Sequence, residues 1–433
     1  MILMAVCVLA GCPQPPVASD GGASGGSGGG VSGGSAAGGN TAGGNTAGGN
    51  TAGGLTAGGS SGGAPVGNPV PGCVDAGDPT LTAQELTLLN LPGDSWYQAP
   101  GSRLLDTCTS SATFGDGVYL VSGCAAMVSA WSSGAYDPER TRMMVWGGGH
   151  NDYGGNELYA FNLKSLAWER VTRPSRPPFT KDPLDDGNPV SRHTYDGFEF
   201  IAHRGTLFGW GGSRSVDGNG TNVTWEYVAD AGWTNLAPPS APTSGSGLYD
   251  FGLAYDPASQ LVFVHLRAWF GTYDFSTNRW TRRADFGFPP YTNKYDTAGS
   301  STGAMHLGQN VFVSLGGGSN ALVYSLDAGV VSLTGPWSAI GAHPSINKPA
   351  PGLDYDSAAR QLVAWSGGAP VALDTSQMPY QWSARSSAGA PAMQQGNGTY
   401  GRWRYVERYN VFVLVNDASQ NVSFYKHTPR CGR

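Results

Sequence analysis

The chain is short of charge. Lys, Arg, Asp and Glu make up 13% of its 433 residues, and the formal net charge is -6. Lys and Arg form no cluster, which argues against nucleic acid as a partner, because such binding rests on a basic footprint. Also absent is any apolar run long enough to cross a bilayer as a helix. Histidines number seven and cysteines six, so candidates for acid–base work and for disulfides are few enough to be considered singly. What the chain does have is 67 glycines and an 11% share of aromatics, which suits a sheet-rich domain with tight turns.

Six times between Ala135 and Asn410 a short polar turn leads into an apolar strand. The first three copies run Tyr136-Asp137-Pro138 into MMVWGGG, Ala202-His203-Arg204 into TLFGWGG and Tyr255-Asp256-Pro257 into LVFVHLR. The series goes on with His306-Leu307-Gly308 into VFVSLGGG, Tyr355-Asp356-Ser357 into LVAWSGG and Val406-Glu407-Arg408 into VFVLVND. One turn residue from each copy (137, 203, 256, 307, 356, 407) gives intervals of 66, 53, 51, 49 and 51. A unit of about 50 residues with a Gly-rich hairpin and a later Trp is the signature of a propeller blade.

The tryptophans check the period. Trp168, Trp233, Trp280, Trp337 and Trp382 follow the first five turns at offsets of 31, 30, 24, 30 and 26. After the sixth turn the sequence reaches Arg433 without one, whereas Trp96 in DSWYQAP stands unused before the first turn. A last blade lacking its outer strand would expose an unpaired edge. The expectation is therefore an all-β, six-bladed propeller with four-stranded blades, in which residues around Trp96 supply the outer strand of the final blade.

The runs VWGGGHNDYGGNELYAFNLKSLAWERV and LFGWGGSRSVDGNGTNVTWEYVADAGWTNL resemble kelch repeats, in the Gly-rich strand end, the distal Tyr and the spaced Trp. The likeness extends over roughly residues 94 to 430 and is clearest in the first two blades. It implies blades around a central channel lined by the innermost strands. It also implies that loops entering those strands and loops between the middle two strands gather on one face. Function does not follow from it, since kelch-type propellers include binding scaffolds and enzymes alike.

Before the propeller, Met1 to Cys12 reads MILMAVCVLAGC and resembles a lipoprotein export signal, ending in the lipobox Leu9-Ala10-Gly11-Cys12. Cys12 is the expected lipidation site, which implies a bacterial cell-envelope location, at the outer membrane or cell surface, with the bilayer touched only through that lipid. No Lys or Arg precedes the apolar run, so the true translation start is expected further upstream. Residues 13–72, with the unit TAGGN TAGGN TAGGL TAGG from Thr41, lack bulky apolar groups and are read as a disordered tether. Its flexible-coil span is ~40 Å. Residues 73–433 form the propeller domain in this reading.

Four cysteines remain: Cys73, Cys108, Cys124 and Cys431. An even count in an exported chain suggests two disulfides, with three connectivities open. Ring closure favours Cys73–Cys431, and Cys108–Cys124 would then clip the intervening hairpin-like segment.

Applied to this chain, the kelch resemblance gathers distant loops. The middle loop of the first blade carries His150, Asn151, Asp152 and Tyr153, and the entry to the second carries Arg192, His193, Tyr195 and Asp196. Lys294, Tyr295 and Asp296 enter the fourth blade, and Tyr400, Arg402, Trp403 and Arg404 enter the sixth. His150 follows three glycines in a polar loop, and loops on rigid scaffolds tend to carry function. A histidine works as acid or base near neutral pH without an extreme environment, which makes His193 the second candidate.

Three functions compete. A binding module would hold a glycan or a protein, with Tyr153, Tyr195, Tyr291, Tyr295 and Trp403 as aromatic platforms and Asn151, Asp152, Arg192, Lys294, Arg402 and Arg404 as polar contacts. Glycan is favoured by the aromatic and basic loops. A polysaccharide lyase for uronic-acid glycans would use His150 or His193 as base, Tyr195 or Tyr295 as acid, and Lys294 or Arg402 on the enolate. A copper-radical oxidase similar to galactose oxidase is set aside, because its Tyr-His neighbour pair is missing. No Asp/Glu pair stands out for a hydrolase, and the spacing of Asp152 and Glu157 is not diagnostic of a metal. No cofactor is expected, and the chain is read as a monomer.

Overall fold

The computed structural model describes residues 73–108, 123–150, 152–242, 248, 250–266, 269–285, 300–316, 321–346 and 348–429. Six four-stranded antiparallel sheets follow one another along the chain. Blade 1 comprises Ser133–Asp137, Arg142–Trp146, Tyr159–Asn162 and Ala167–Arg170. Blade 2 comprises Phe198–Ile201, Thr206–Trp210, Thr224–Val228 and Gly232–Asn235. Blades 3, 4 and 5 begin at Phe251–Asp256, Thr302–His306 and Gly352–Asp356. Blade 6 is built from Trp403–Val406, Val411–Leu414 and Ser423–Lys426, and its outer strand is Ser95–Gln98 from the start of the domain. Trp96 pairs with Tyr425 and Tyr97 with Phe424, so the ring is zipped as the sequence implies. The protein is a six-bladed β-propeller.

The repeated turn has a repeated backbone cause. Each hairpin between a first and second strand contains one residue in the left-handed region: Thr141, Gly205, Gln260, Asn310, Arg360 and Asn410, at φ between 50° and 66°. In three of them an Asp opens the turn and caps it, with Asp137, Asp256 and Asp356 accepting backbone N–H groups two or three residues on. Strand alternation then sorts side chains to the two sides of each blade. Met143 and Val145 pack toward blade 6, while Met144 and Trp146 pack toward blade 2. The core consequently splits into six apolar clusters, one for each pair of neighbouring blades. Fully burying one such side chain stabilises by about 1.5–3 kcal/mol, and the load is spread around the ring.

Five of the six repeat tryptophans lie in outer strands. Trp337 does not: blade 4 ends in the two-residue strand Val330–Val331, and Gly335-Pro336 turns the chain so that Trp337 closes a short 3-10 turn. It still packs between blades 4 and 5, edge-on to Tyr380 at 4.9 Å.

The inner strands leave edge N–H groups facing the channel, and buried donors must find acceptors. Carboxylates serve. Asp196 accepts from Leu253 and Gly303, both at 2.8 Å, and Asp354 accepts from Tyr405 at 2.7 Å. Gly303 permits this closeness, because a Cβ there would stand 2.7 Å from the Leu253 nitrogen. One residue at each entry is again left-handed: Trp131, Tyr195, Asp250, Ser300, Ala350 and Tyr400, with φ of 41° to 61°. Through them the backbone passes from blade to blade, as where Tyr195 donates to Trp131 and Ala350 to Ser300, each at 2.6 Å.

Candidate functional site

The entry-loop face brings together residues from blades 1, 2 and 6. The turn after Trp146 carries Gly147 to Gly149, then His150, Asp152 and Tyr153; Gly149 pairs with Tyr153 as an isolated bridge. Gly149 adopts φ 91°, and a Cβ on it would lie 2.2 Å from His193 Cδ2. Only glycine lets the middle loop lie against the histidine at this point. The loop thereby sets Asp152 Oδ2 at 2.9 Å from His193 Nε2. The ring of His193 also faces Trp131, centroid to centroid 4.9 Å, and meets Tyr195 edge-on at 6.1 Å. Tyr195 in turn meets Tyr400 at 6.0 Å across the mouth of the channel. His193 is 5% exposed and Asp152 is half-buried, so the pair sits at a wall with one side toward solvent. The arrangement fixes one imidazole nitrogen on a carboxylate and thereby orients the ring, which is what an acid–base histidine requires.

His150 is exposed and its ring lies over Gly218 of the blade 2 middle loop, on the same face. Tyr153 turns inward instead. It is fully buried and donates its hydroxyl to Glu157, whose carboxyl burial pushes above the ordinary carboxylate range. Glu157 is thus a core partner of Tyr153 and of Tyr159, 3.2 Å away.

The three expected arginine contacts are placed elsewhere than on a ligand surface. Arg192 is completely buried, bridged to Asp182 at 2.8 Å and bonded to the carbonyls of Val190 and Gly211. Arg402 is equally buried and donates to the carbonyls of Ser132, Val415, Asn416 and Gly398; burial lowers its pKa to about 10. Arg404 reaches the carbonyls of Gly134, Gly401 and Phe198 and pairs with Glu199 at 3.0 Å. Arg402 ends the 3-10 turn Tyr400–Arg402 and Arg404 lies on the strand that follows, and both reach the start of blade 1, at Ser132 O and Gly134 O. They fasten the last blade to the first. Trp403 is buried between blades 5 and 6, stacked on Phe412 at 4.6 Å and on Trp365 at 6.2 Å. Its alternation on the strand places it at the blade interface, with no face open to a ligand.

Asn151, Lys294, Tyr295, Tyr291, Cys12 and Cys431 lie outside the described residues. Cys108 and Cys124 form a disulfide with Cα atoms 6.2 Å apart. Cys73 is disulfide-bonded as well, and the partner expected from the sequence is among the residues not described. Among the described residues no group of three His, Cys, Asp or Glu side chains is placed to hold a metal ion.

A pocket that the motif reading missed opens on the same face, over blade 6. It has a volume of about 640 Å³ and is walled by the entry loop at 391–396, the middle loop at 416–421, the end of the outer strand at Gln98, and Arg103, which is paired with Asp106 at 2.7 Å. Asn416 is committed to structure, accepting from Gln395 N and donating to Met393 O. The side-chain amides of Gln98 and Gln395, Nδ2 of Asn421 and Oδ2 of Asp417 have no protein partner among the described residues and line the pocket. Met393, 77% exposed, supplies the apolar lip. Asn397 links this loop to the dyad's surroundings by donating to Ser129 O at 2.7 Å, two residues before Trp131. The sequence signal was QQGNG and NDASQN, polar runs lacking the histidine or aromatic that draws notice.

No protein-family model and no curated protein matches the chain. Among solved structures it is similar to a structural-genomics protein of unknown function from Bacteroides thetaiotaomicron VPI-5482, at 10% identity and a TM-score of 0.39, over 66% of this chain and 67% of that one. A likeness of that size bears on no residue and on no activity.

Proposed function

We propose that the protein is a kelch-type propeller, exported and held at the bacterial envelope by a lipid on Cys12, whose entry-loop face binds a glycan. The observation that carries this reading is the blade 6 pocket. Amides and a carboxylate offer paired donors and acceptors, which suit the vicinal hydroxyls of a sugar, and an exposed methionine provides an apolar patch for a ring face. Pockets of this size on a rigid scaffold are typical places for small-ligand recognition.

A second reading, cleavage of a uronic-acid glycan by β-elimination, is favoured by the His193–Asp152 pair beside Tyr195. His193 would take the proton alpha to the carboxylate, and Tyr195 would protonate the departing glycosidic oxygen. Arg192 and Arg402 are committed to backbone carbonyls and to Asp182, so steadying the enolate would fall to Lys294. The test is a panel of neutral and uronic-acid polysaccharides, followed both by binding and by the ultraviolet absorbance of an unsaturated product. Retention without absorbance, unchanged in His193→Ala, supports the binding protein. Absorbance abolished by His193→Ala would replace it with the lyase.

A further inference from the structure

The opposite end of the channel carries a second cavity, of about 290 Å³, on the side of the hairpins that join first and second strands. Every blade contributes the penultimate residue of its inner strand: Tyr136, Phe200, Tyr255, Met305, Tyr355 and Tyr405. Turn residues Pro138, Pro257, Ser357 and Glu407 form its rim, with Leu307 45% exposed at the lip. Its charges are uneven. Glu199, Asp354 and Glu407 line it against the single cation Arg404.

The disposition of donors decides which sign of ligand fits. Arg404 turns its Nε and Nη2 hydrogens away, onto the carbonyls of Gly134, Gly401 and Phe198, and gives Nη1 to Glu199. The acids keep capacity. Each oxygen of Asp354 accepts one backbone N–H, from Tyr355 and Tyr405, and each oxygen of Glu199 accepts one donor, from Phe200 and Arg404. A carboxylate oxygen has two lone pairs, so a second donor can be accepted at each. Glu407 holds only the Ser357 hydroxyl, on Oε1. Burial raises the pKa of Glu199, Asp354 and Glu407, and a cation placed among them would favour their charged forms.

We propose that this hairpin-side mouth is a ligand site for a small organic cation, an alkylammonium group on a free molecule or on the end of a larger one. The site is independent of glycan binding, which lies on the other face. At 290 Å³ it lies at the small end of ligand cavities, which run to about 300–1,000 Å³, so the cationic head and a few carbons fill it.

The experiment is calorimetric titration of the full chain with n-butylammonium and tetramethylammonium chloride, with 1-butanol and sodium butyrate as neutral and anionic comparators at equal ionic strength. The expected result is binding of an ammonium at least tenfold tighter than of butanol or butyrate. Glu407→Gln, which keeps the acceptor for Ser357, should weaken it severalfold, and Tyr355→Leu should do likewise with the thermal unfolding transition retained. Equal binding of butanol would show a merely apolar hole, and tighter binding of butyrate would show that Arg404 governs. Either outcome overturns the proposal, as does no binding of either ammonium, or Glu407→Gln binding as well as the parent.

Discussion

His193 and Asp152, 41 residues apart in sequence, meet at 2.9 Å because Gly149 has no side chain to keep their loops apart. The contact depends on a backbone position as much as on the two residues that make it. Gly149→Ala should therefore destabilise the domain by about 2–3 kcal/mol, from a left-handed φ together with a clash. Gly101 has φ 70° with nothing within 4 Å of an added Cβ, so Gly101→Ala isolates the backbone part and should cost about 1 kcal/mol. Chemical denaturation of both variants measures the difference. Equal losses would mean that the loop yields and the histidine is not held.

Ring closure gives a second prediction. Trp96 packs on Trp403 at 5.8 Å, Trp365 at 6.2 Å and Tyr425 at 5.1 Å. Trp96→Ala should lose about 2–4 kcal/mol, somewhat less than a fully buried Trp because this one is half-buried. A chain starting after Gln98 leaves Ser423–Lys426 as a bare edge and should self-associate on size exclusion. A monodisperse, equally stable truncation would contradict the closure.

A third concerns pH. His306 is 1% exposed, neither ring nitrogen has a hydrogen-bond partner among the described residues, and burial lowers its pKa to about 4. The folded state thus prefers the neutral ring, while the unfolded chain takes up a proton near pH 6.5. Stability should be level above pH 6.5 through this group and fall as pH drops toward 4, by an amount on the order of 3 kcal/mol. His306→Phe should flatten the dependence over that window in denaturant midpoints measured from pH 7 to 4. An unchanged slope would show that other groups cause it.

Reduction of the Cys108–Cys124 disulfide, which closes a loop of sequence separation 16, should cost about 3 kcal/mol by freeing the unfolded chain. Thermal unfolding of Cys108→Ser/Cys124→Ser gives that number without touching Cys73.

The architecture was legible because it is written many times. Six turns, each forced by one left-handed residue, and the Trp of the outer strands repeat at nearly equal spacing, and Trp96 was left over to close the ring. The site was less legible because it is written once. That Asp152 would meet His193 needed the pose of two loops. The sequence offers Arg402 and Arg404 as ligand contacts, yet it is silent on whether a cation at a blade entry faces solvent or the next blade; here the two reach the carbonyls of Ser132 and Gly134. The amide pocket escaped notice because Gln and Asn are ordinary loop residues until three separate segments converge.

The most direct test of the glycan-binding account is affinity for the best-retained polysaccharide, compared between the parent chain and Gln98→Ala, Asp417→Ala and Gln395→Ala, each an amide or acid with an unused polar atom at the blade 6 pocket. The account predicts a loss of at least tenfold for Asp417→Ala and smaller losses for the two amides, with unfolding midpoints unchanged. Parent-like affinity in all three would contradict it.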